Sequence, residues 1–209
     1  MIEKTYKTQQ EEFWAGEFGR EYIGRNTAEK FLASNIALFS KILARTIRPT
    51  SVIELGANIG LNLEAIRWLL PEVDLAAVEI NEAACEELRK RVPGVSAEQT
   101  SILEMNAEQR FDMVLIKGVL IHINPDELPT VYDRMEQLSS EYVVIAEYYN
   151  PSPVTVNYRG HSGRLFKRDF AGEFLDRHPH FEVVDYGFVW RRDPLFPQDD
   201  MTWFLLRRT

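Results

Sequence analysis

Short apolar runs alternate with amphipathic stretches through the middle of the chain. The runs are apolar enough to form strands buried on both faces, and helical patterns over residues 61–70, 82–91 and 125–137 separate them. Buried strands that are connected through helices form a mostly parallel sheet. The pattern therefore predicts an α/β fold, a Rossmann-like doubly wound sheet with helices on both faces. The predicted strands are 52–55, 75–79, 113–116 and 142–146.

The two ends of the chain depart from this alternation. Residues 181–189 and 201–206 are rich in aromatics, and residues 190–200 between them lack a convincing helical pattern, so we expect a final antiparallel pair of strands. Residues 1–50 have a helical pattern and are expected to form an N-terminal cap on the Rossmann-like domain, 51–209, as one compact unit. Five apolar residues recur there at a helical period and are expected to cover the sheet: Phe31, Ile36, Phe39, Ile42 and Leu43.

A denser aromatic cluster lies upstream of those residues, at Phe13, Trp14, Phe18 and Tyr22. Two interpretations stay open for it. The cluster can close over a ligand pocket, or it can pack against the body of the protein.

The composition is that of an ordinary globular protein. Apolar residues make up 45% and charged residues 27%, which excludes a mostly disordered chain. The net charge of -8 argues against a nucleic-acid partner, and no run approaches the roughly 20 apolar residues that span a membrane. Residues 1–10 are polar, Cys85 is the single cysteine, and the four histidines lack ligand spacing. We expect a cytoplasmic monomer or homodimer without a metal.

The most informative segment is V-I-E-L-G-A-N-I-G at residues 52–60, directly before a predicted helix. Gly56 lets the backbone approach a ligand closely, and Gly60 permits tight packing where the helix begins. The spacing differs from the G-x-G-x-x-G pattern that seats a pyrophosphate. Glu54, inside the strand, can accept a hydrogen bond from a cationic amine or from a water. This favours the aminobutyrate end of S-adenosylmethionine over a phosphate.

A second carboxylate follows the next predicted strand. Glu79 lies about twenty residues past the glycine loop, where it can accept both hydroxyls of a ribose. The alternative is a solvated carboxylate that starts the next helix. With the matching loop, Glu79 indicates a nucleoside ligand.

Together these residues resemble the class I S-adenosylmethionine-dependent methyltransferases. The resemblance implies that Gly56, Asn58 and Gly60 line the methionine part of the cofactor, that Glu79 holds the ribose, and that Ile80 flanks the adenine. Asn58 stands where the family usually has a glycine. Asparagine tolerates left-handed backbone and can offer its amide.

The resemblance also shows one departure after the third strand. Many relatives carry an aspartate there to hold the adenine amine, whereas this chain has Q-T-S-I-L at residues 99–103. Ser101 is the candidate for that contact, with the backbone of Ile102 facing the adenine ring.

The fourth and fifth strands end in further candidates. Lys117 and His122 follow the fourth strand, and His122 is either a general base or a structural histidine satisfied by backbone. The fifth strand ends in Tyr148, Tyr149 and Asn150. The two tyrosine rings can attract a sulfonium, and all three side chains can contact the substrate. A polar strand end before a proline turn is the alternative for these three residues.

Residues 158–170 form a basic, glycine-containing stretch in an acidic protein. We expect a loop that enters a helix around Asp169. Tyr158, Arg159 and Arg164 are candidates for binding a substrate carboxylate or phosphate, and a solvated loop is the alternative. Residues 191–200 can fold back over the same opening, or their alternating charges can simply pair.

The second half of the chain resembles a narrower family, the methylases associated with pseudaminic acid biosynthesis. The resemblance rests on residues 148–151, 158–161, 167–173 and 185–189 and on the N-terminal Phe13-Trp14. It implies methyl transfer from S-adenosylmethionine to a small polar or anionic metabolite, such as a nonulosonic-acid-type sugar. Two alternatives stay open. One is a methyltransferase-like synthase that cyclises S-adenosylmethionine to azetidine-2-carboxylate and methylthioadenosine, and the other is an inactive cofactor-binding scaffold.

Overall fold

The computed structural model of the chain describes residues 5–23 and 28–209. Residues 1–4 of the polar N-terminal segment and residues 24–27 of the helical pattern lie outside the described residues. The helices are α1 (Gln9–Ala15), α2 (Glu17–Ile23), α3 (Ala28–Leu43), α4 (Leu61–Leu69), α5 (Glu82–Arg91), α6 (Leu128–Leu138) and α7 (Phe170–Arg177). The strands are β1 (Ser51–Leu55), β2 (Asp74–Glu79), β3 (Ser96–Gln99), β4 (Phe111–Lys117), β5 (Ser139–Glu147), β6 (Val154–Tyr158), β7 (His161–Lys167), β8 (Phe181–Val189) and β9 (Met201–Arg208).

The predicted doubly wound sheet is confirmed. Seven strands lie in the order β3-β2-β1-β4-β5-β9-β8, and the first five strands pair in parallel. Helices α3, α4 and α5 pack on one face, and α6 and α7 pack on the other. The carboxyl ends of β1, β2 and β3 therefore lie side by side at one edge, where such sheets bind ligands.

The predicted antiparallel pair at the end of the chain is also confirmed. Strand β9 is antiparallel to both of its neighbours, β5 and β8. In contrast, the apolar pattern did not reveal β3, because this strand is only S-A-E-Q at the edge of the sheet and half of its residues are exposed. A polar four-residue edge strand carries little periodic signal.

Helix α3 covers the sheet as the periodicity predicted, with one exception. Phe39 and Ile42 are fully buried against the sheet, and Ile36 and Leu43 pack around them. Phe31 instead packs against a small separate cluster of Ile59, Leu61 and Ala84. The start of α3 thus lies beyond the sheet edge, next to the glycine loop.

The prediction of a basic loop over residues 158–170 is wrong in its first part. Strands β6 and β7 form an antiparallel hairpin, and its turn is at Arg159 (φ 52°) and Gly160 (φ 85°). Two successive left-handed residues match the right-handed twist of a hairpin. The predicted helix start is confirmed, because the side chain of Asp169 accepts from Gly172 N at the start of α7.

Within the described ranges, none of the helices combines the length and the apolarity that crossing a bilayer requires.

Phe39 tests how far α3 contributes to stability. Its side chain is 2% exposed, so Phe39→Ala is expected to lower the free energy of unfolding by about 3–5 kcal/mol through lost burial and the cavity left behind. The matched control is Phe196→Ala, because Phe196 is 46% exposed; its effect should stay below about 1 kcal/mol. Urea unfolding followed by circular dichroism measures both. Equal losses in the two variants would show that α3 does not cover the sheet as described.

Candidate ligand site at the carboxyl edge of the sheet

A cavity of about 240 Å³ opens at the carboxyl ends of the parallel strands. Its floor is formed by the turns after β1, β2, β3 and β4, and its roof by α1 and α2. Residues from 191–200 close a further side, as the sequence predicted for that segment. The cavity therefore lies where the doubly wound topology places a ligand.

The glycine loop forms the part of the floor after β1. Gly56 has φ 76°, and a β-carbon there would lie 2.6 Å from Cγ2 of Val119, so a side chain is excluded. Asn58 also adopts left-handed backbone, with φ 49°, which agrees with the tolerance expected of asparagine. Gly60 has φ 82° and packs against α5, where Leu88 is its neighbour. Residues 56–59 of the loop line the cavity, whereas the predicted binding residue Gly60 does not.

Glu79 is fixed by the backbone on both sides. Oε2 accepts from Asn58 N at 2.7 Å, and Oε1 accepts from Asn81 N at 2.8 Å. The side chain is only 8% exposed, so it is not a solvated carboxylate. Burial raises the pKa of Glu79, while the backbone N–H donors lower it. The carboxylate lines the cavity with lone pairs left to accept from a ligand.

Glu54 lies behind the glycine loop and is 1% exposed. Oε1 accepts from Nδ2 of Asn62 at 2.6 Å, and Oε2 is buried without a hydrogen-bond partner in the described protein. Burial raises the pKa of Glu54 to about 8, although Asn62 and the charge of Lys117 oppose the rise. Asn62 and Lys117 line the cavity, whereas Glu54 itself is not among the lining residues.

Burial lowers the pKa of Lys117, and the nearby carboxylates, Glu54 first, oppose this effect. The structure thus places Lys117 with the loop residues at one end of the cavity.

The opposite end of the cavity lies past β2 and β3. Ile80, Ser101 and Ile102 all line it, so the structure brings these three predicted residues together. The hydroxyl of Ser101 donates to the carboxylate of Glu11 and accepts from Leu103 N. Glu11 comes from α1 and was not among the predicted site residues.

The N-terminal aromatic cluster is divided between the two predicted roles. Trp14 and Tyr22 line the cavity. Phe13 and Phe18 stack with ring centroids 4.1 Å apart and also contact the β6–β7 hairpin, where the ring of Phe13 lies 5.1 Å from that of His161. We call α1 and α2 together the aromatic cap.

Asn81 attaches the aromatic cap to the sheet. Its Nδ2 group points at the end of α1 and donates to the carbonyl of Trp14 at 3.1 Å. Its Oδ1 accepts from Ala84 N and caps α5. The sequence signal was a helix N-cap residue directly after β2, but the contact with α1 depends on residues 67 positions away.

His122 is neutral near physiological pH. It lines the cavity, and burial lowers its pKa to about 4. Its Nδ1 lies 2.6 Å from the carbonyl of Arg164, so that nitrogen carries the proton and Nε2 is left as an acceptor. Its ring packs 4.5 Å from Trp14 and 5.1 Å from Tyr158, by centroids.

A further carboxylate, Glu147, supports the turn after β4. Its Oε1 accepts from Val119 N and Leu120 N, both at 2.9 Å. Burial raises the pKa of Glu147 to about 7, against those backbone donors. The sequence signal for this residue was an acid at the end of an apolar run, the same signal as for Glu79 in β2.

The three predicted residues after β5 separate in the structure. Tyr148 approaches Asp199, and burial together with the charge of that carboxylate raises its pKa. Tyr149 is 44% exposed and pairs with the backbone of Arg168. Asn150 donates to the carbonyl of Ser152. Asp199 lines the cavity, whereas none of the three predicted residues is among its lining residues.

The predicted anion-binding arginines lie on the hairpin. The guanidinium of Arg159 is 5.5 Å from the ring centroid of Tyr158, and that of Arg164 is 5.3 Å from that of Phe13. Neither arginine lines the cavity, and neither does Tyr158. The aromatic rings take up these cations beside the cavity instead.

Segment 191–200 satisfies both predictions made for it. Gln198 lines the cavity and donates to the carbonyl of Ser34 at 2.9 Å, which joins the segment to α3. Arg191 and Asp200 pair at 3.4 Å on the outside.

The central part of the chain is similar to known methyltransferases. Residues 52–140 match the family model described as a methyltransferase domain. Trans-aconitate 2-methyltransferase of Methylobacterium nodulans is 28% identical over 93 residues, which are 44% of this chain and 36% of that protein. The match thus spans about a third of the relative's length.

Solved structures resemble the whole described chain. Magnesium protoporphyrin IX methyltransferase from Synechocystis PCC 6803 has a TM-score of 0.71 at 11% identity, covering 99% of this chain and 100% of that one. The amino pentose methyltransferase from Micromonospora echinaspora has a TM-score of 0.64 at 15% identity and covers 100% of both chains. Burkholderia thailandensis 1,6-didemethyltoxoflavin-N1-methyltransferase has a TM-score of 0.67 at 22% identity, with 100% and 93% covered.

These comparisons support a likeness to methyltransferases in general. They do not confirm the narrower resemblance to the methylases associated with pseudaminic acid biosynthesis. Residues 52–140 contain β1 to β4, the glycine loop and Glu79, which are the elements that form the floor of the cavity. Residues 52–140 therefore resemble a methyltransferase domain, and the chain has the Rossmann-like fold of these methyltransferase structures.

Proposed function

We propose that the chain binds S-adenosylmethionine in this cavity and transfers its methyl group to a small polar metabolite. The observation that carries the proposal is the carboxylate of Glu79. It is held at the end of β2 by Asn58 N and Asn81 N, across from the side-chain-free turn at Gly56. A carboxylate fixed in this place can accept both hydroxyls of a ribose.

The other end of the cavity fits the amino-acid part of the same compound. Oε2 of Glu54 is buried without a hydrogen-bond partner in the described protein, and such an atom is costly unless a donor reaches it. A ligand ammonium would supply that donor. Lys117 and Asn62 line the same end and offer donors to a ligand carboxylate.

When bound, S-adenosylmethionine supplies a methyl group that is already electrophilic. The chain then needs mainly to hold an acceptor in line and to exclude water. Glu147 fixes the turn after β4 through two backbone bonds. Trp14 and Tyr22 close the cavity from above. His122, neutral and with Nε2 available, can accept a proton from a hydroxyl or an amine of the acceptor.

The lining favours an acceptor that donates hydrogen bonds. Asp199, Gln198 and Asn35 line the side near Tyr148, whereas Arg159 and Arg164 lie outside the lining. A sugar-like metabolite with hydroxyl or amino groups fits these acceptors, and the nonulosonic-acid type is the narrowest class that the sequence resemblance suggests. Catalytic roles for Tyr149 and Asn150 stay predictions. We further propose a cap of residues 1–50 on a domain of 51–209, and a cytoplasmic monomer or homodimer.

Glu79 provides the direct test of cofactor binding. Calorimetric titration with S-adenosylhomocysteine should show saturable binding by the natural chain, and Glu79→Ala should weaken it on the order of 100-fold through two lost charge-assisted hydrogen bonds. The control is Glu98→Ala, because Glu98 is an exposed residue of the neighbouring β3. The Glu98→Ala variant should bind S-adenosylhomocysteine with the affinity of the natural chain. Absence of binding by the folded natural chain would overturn the proposal.

The raised pKa of Glu54 predicts that binding of S-adenosylmethionine releases protons. With a pKa of about 8, the free side chain is mostly protonated at neutral pH, and a ligand ammonium beside it favours the charged form. S-adenosylmethionine binding at neutral pH should therefore release close to one proton, measured from the heats in two buffers of different ionisation enthalpy. Glu54→Gln should abolish the release, whereas Glu147→Gln should retain it. Release that persists in Glu54→Gln would place the ammonium elsewhere.

Product analysis separates the proposed reaction from its alternatives. The purified chain is incubated with S-adenosylmethionine, alone and with a panel of small hydroxyl- and amine-bearing acceptors, and the nucleoside product is identified. Adenosylhomocysteine that forms only with an added acceptor is the expected result. Methylthioadenosine formed without an acceptor would indicate cyclisation to azetidine-2-carboxylate. Binding without any product across the panel would favour an inactive scaffold.

A further inference from the structure

The aromatic cap contributes a carboxylate to the cavity. Glu11 is the buried residue of α1, is 7% exposed, and lines the cavity. Its carboxylate lines the roof together with the polar Thr8 and Gln10 and the aromatic Trp14 and Tyr22, and it faces the end of the cavity beyond β2 and β3.

Two sets of contacts fix the orientation of Glu11. Its Oε2 accepts from Thr8 N at 2.8 Å and from the hydroxyl of Thr8 at 3.0 Å, as part of a capping box. Its Oε1 accepts from the hydroxyl of Ser101. A carboxylate oxygen has two lone pairs, so Oε1 keeps one acceptor site after the bond with Ser101.

The surroundings of this oxygen match a nucleobase. Glu79 marks the place of the ribose under the proposed function, and the next strand along the sheet is β3. The base therefore extends toward the turn after β3. Ile80, Ile102 and Leu103 line that end of the cavity and offer apolar contacts for a flat ring.

The remaining requirement is an acceptor for the exocyclic amine of adenine. The hydroxyl of Ser101 donates a hydrogen bond to Glu11 and uses one lone pair to accept from Leu103 N. Ser101 is therefore a weaker acceptor for the adenine amine than Glu11. A carboxylate oxygen is a stronger hydrogen-bond acceptor than a hydroxyl that already donates and accepts one hydrogen bond. We infer that Glu11, carried by the aromatic cap, accepts the 6-amino group of the bound adenine and selects for that base.

This inference rests on the proposed function, and it couples adenosine binding to the position of the aromatic cap. Glu11 belongs to α1, whereas the ribose contact belongs to β2, so a bound adenosine connects the aromatic cap to the sheet. A ligand that binds only one arrangement of two elements stabilises that arrangement. The cap is then held closed by the base itself.

The test compares S-adenosylhomocysteine with its 6-deamino analogue, in which the base is unsubstituted purine. The natural chain should bind the analogue about tenfold more weakly or worse, since a hydrogen bond to a charged group is lost. Glutamine keeps the capping box, and Thr8 N holds its amide oxygen, so the amide nitrogen turns toward the base as a donor. Glu11→Gln should therefore weaken binding of S-adenosylhomocysteine to about the level of the analogue.

Glu12→Gln is the matched control, because Glu12 is the exposed neighbour on the same helix. It should keep the natural preference for the 6-amino compound. If the natural chain and Glu11→Gln both bind S-adenosylhomocysteine and show the same preference over the analogue, the inference is overturned and the proposed function stands. If the natural chain binds neither compound, the proposed function itself fails.

Hydrogen exchange gives a second readout on the cap. S-adenosylhomocysteine should protect the amides of α1 and α2 more than the 6-deamino analogue does when both are saturating, and Glu11→Gln should remove that difference. Equal protection by the two saturating ligands in the natural chain would contradict the coupling between the base and the cap.

Discussion

The carboxylate of Glu79 connects the elements on which the cavity depends. One oxygen accepts from the glycine loop at Asn58, and the other accepts from Asn81 at the start of α5. Asn81 in turn contacts the end of α1. A single buried carboxyl group thus connects the loop, the helix and the aromatic cap. Backbone N–H donors make this burial tolerable, because a carboxylate without them would be strongly destabilising.

Buried carboxylates recur at the carboxyl ends of the parallel strands. Glu54, Glu79 and Glu147 belong to β1, β2 and β5, and burial raises the pKa of each. A domain does not bury several acids without a compensating role, since each lowers stability unless its charge is neutralised or hydrogen-bonded. The cost of burying the Glu147 carboxylate is reduced by two backbone N–H donors in the turn after β4, Val119 N and Leu120 N. Oε2 of Glu54 and Oε2 of Glu147 are both buried without a hydrogen-bond partner in the described protein. Glu54 lies beside Asn62 and Lys117, which line the cavity, so a cation bound at that end would stabilise its charged form.

The fold and the floor of the cavity followed from the sequence because they depend on local patterns. Apolar runs, helical periods and positive-φ positions such as Gly56 are properties of neighbouring residues. Strand β3 and the β6–β7 hairpin were missed because neither has a strong local signal: β3 is short and polar, and the hairpin turn uses Arg159 where glycine or asparagine is typical. The residues after β5 were grouped by their adjacency, although successive strand residues point to opposite faces. Tyr148 accordingly approaches Asp199, whereas Tyr149 faces away.

By itself, the sequence determined the class of fold, the edge of the sheet at which the cavity opens, and the residues of that edge which lie within a few positions of a strand end. Only the tertiary structure decided which distant residues complete the cavity. Glu11 meets Ser101 across 90 positions, and Gln198 meets Ser34 across 164. Such pairs leave no periodic trace, because a hydrogen bond between distant segments depends on the path of the whole chain. The physical reason is that local patterns specify secondary structure and burial, while the packing of helices on the sheet sets which polar groups face each other.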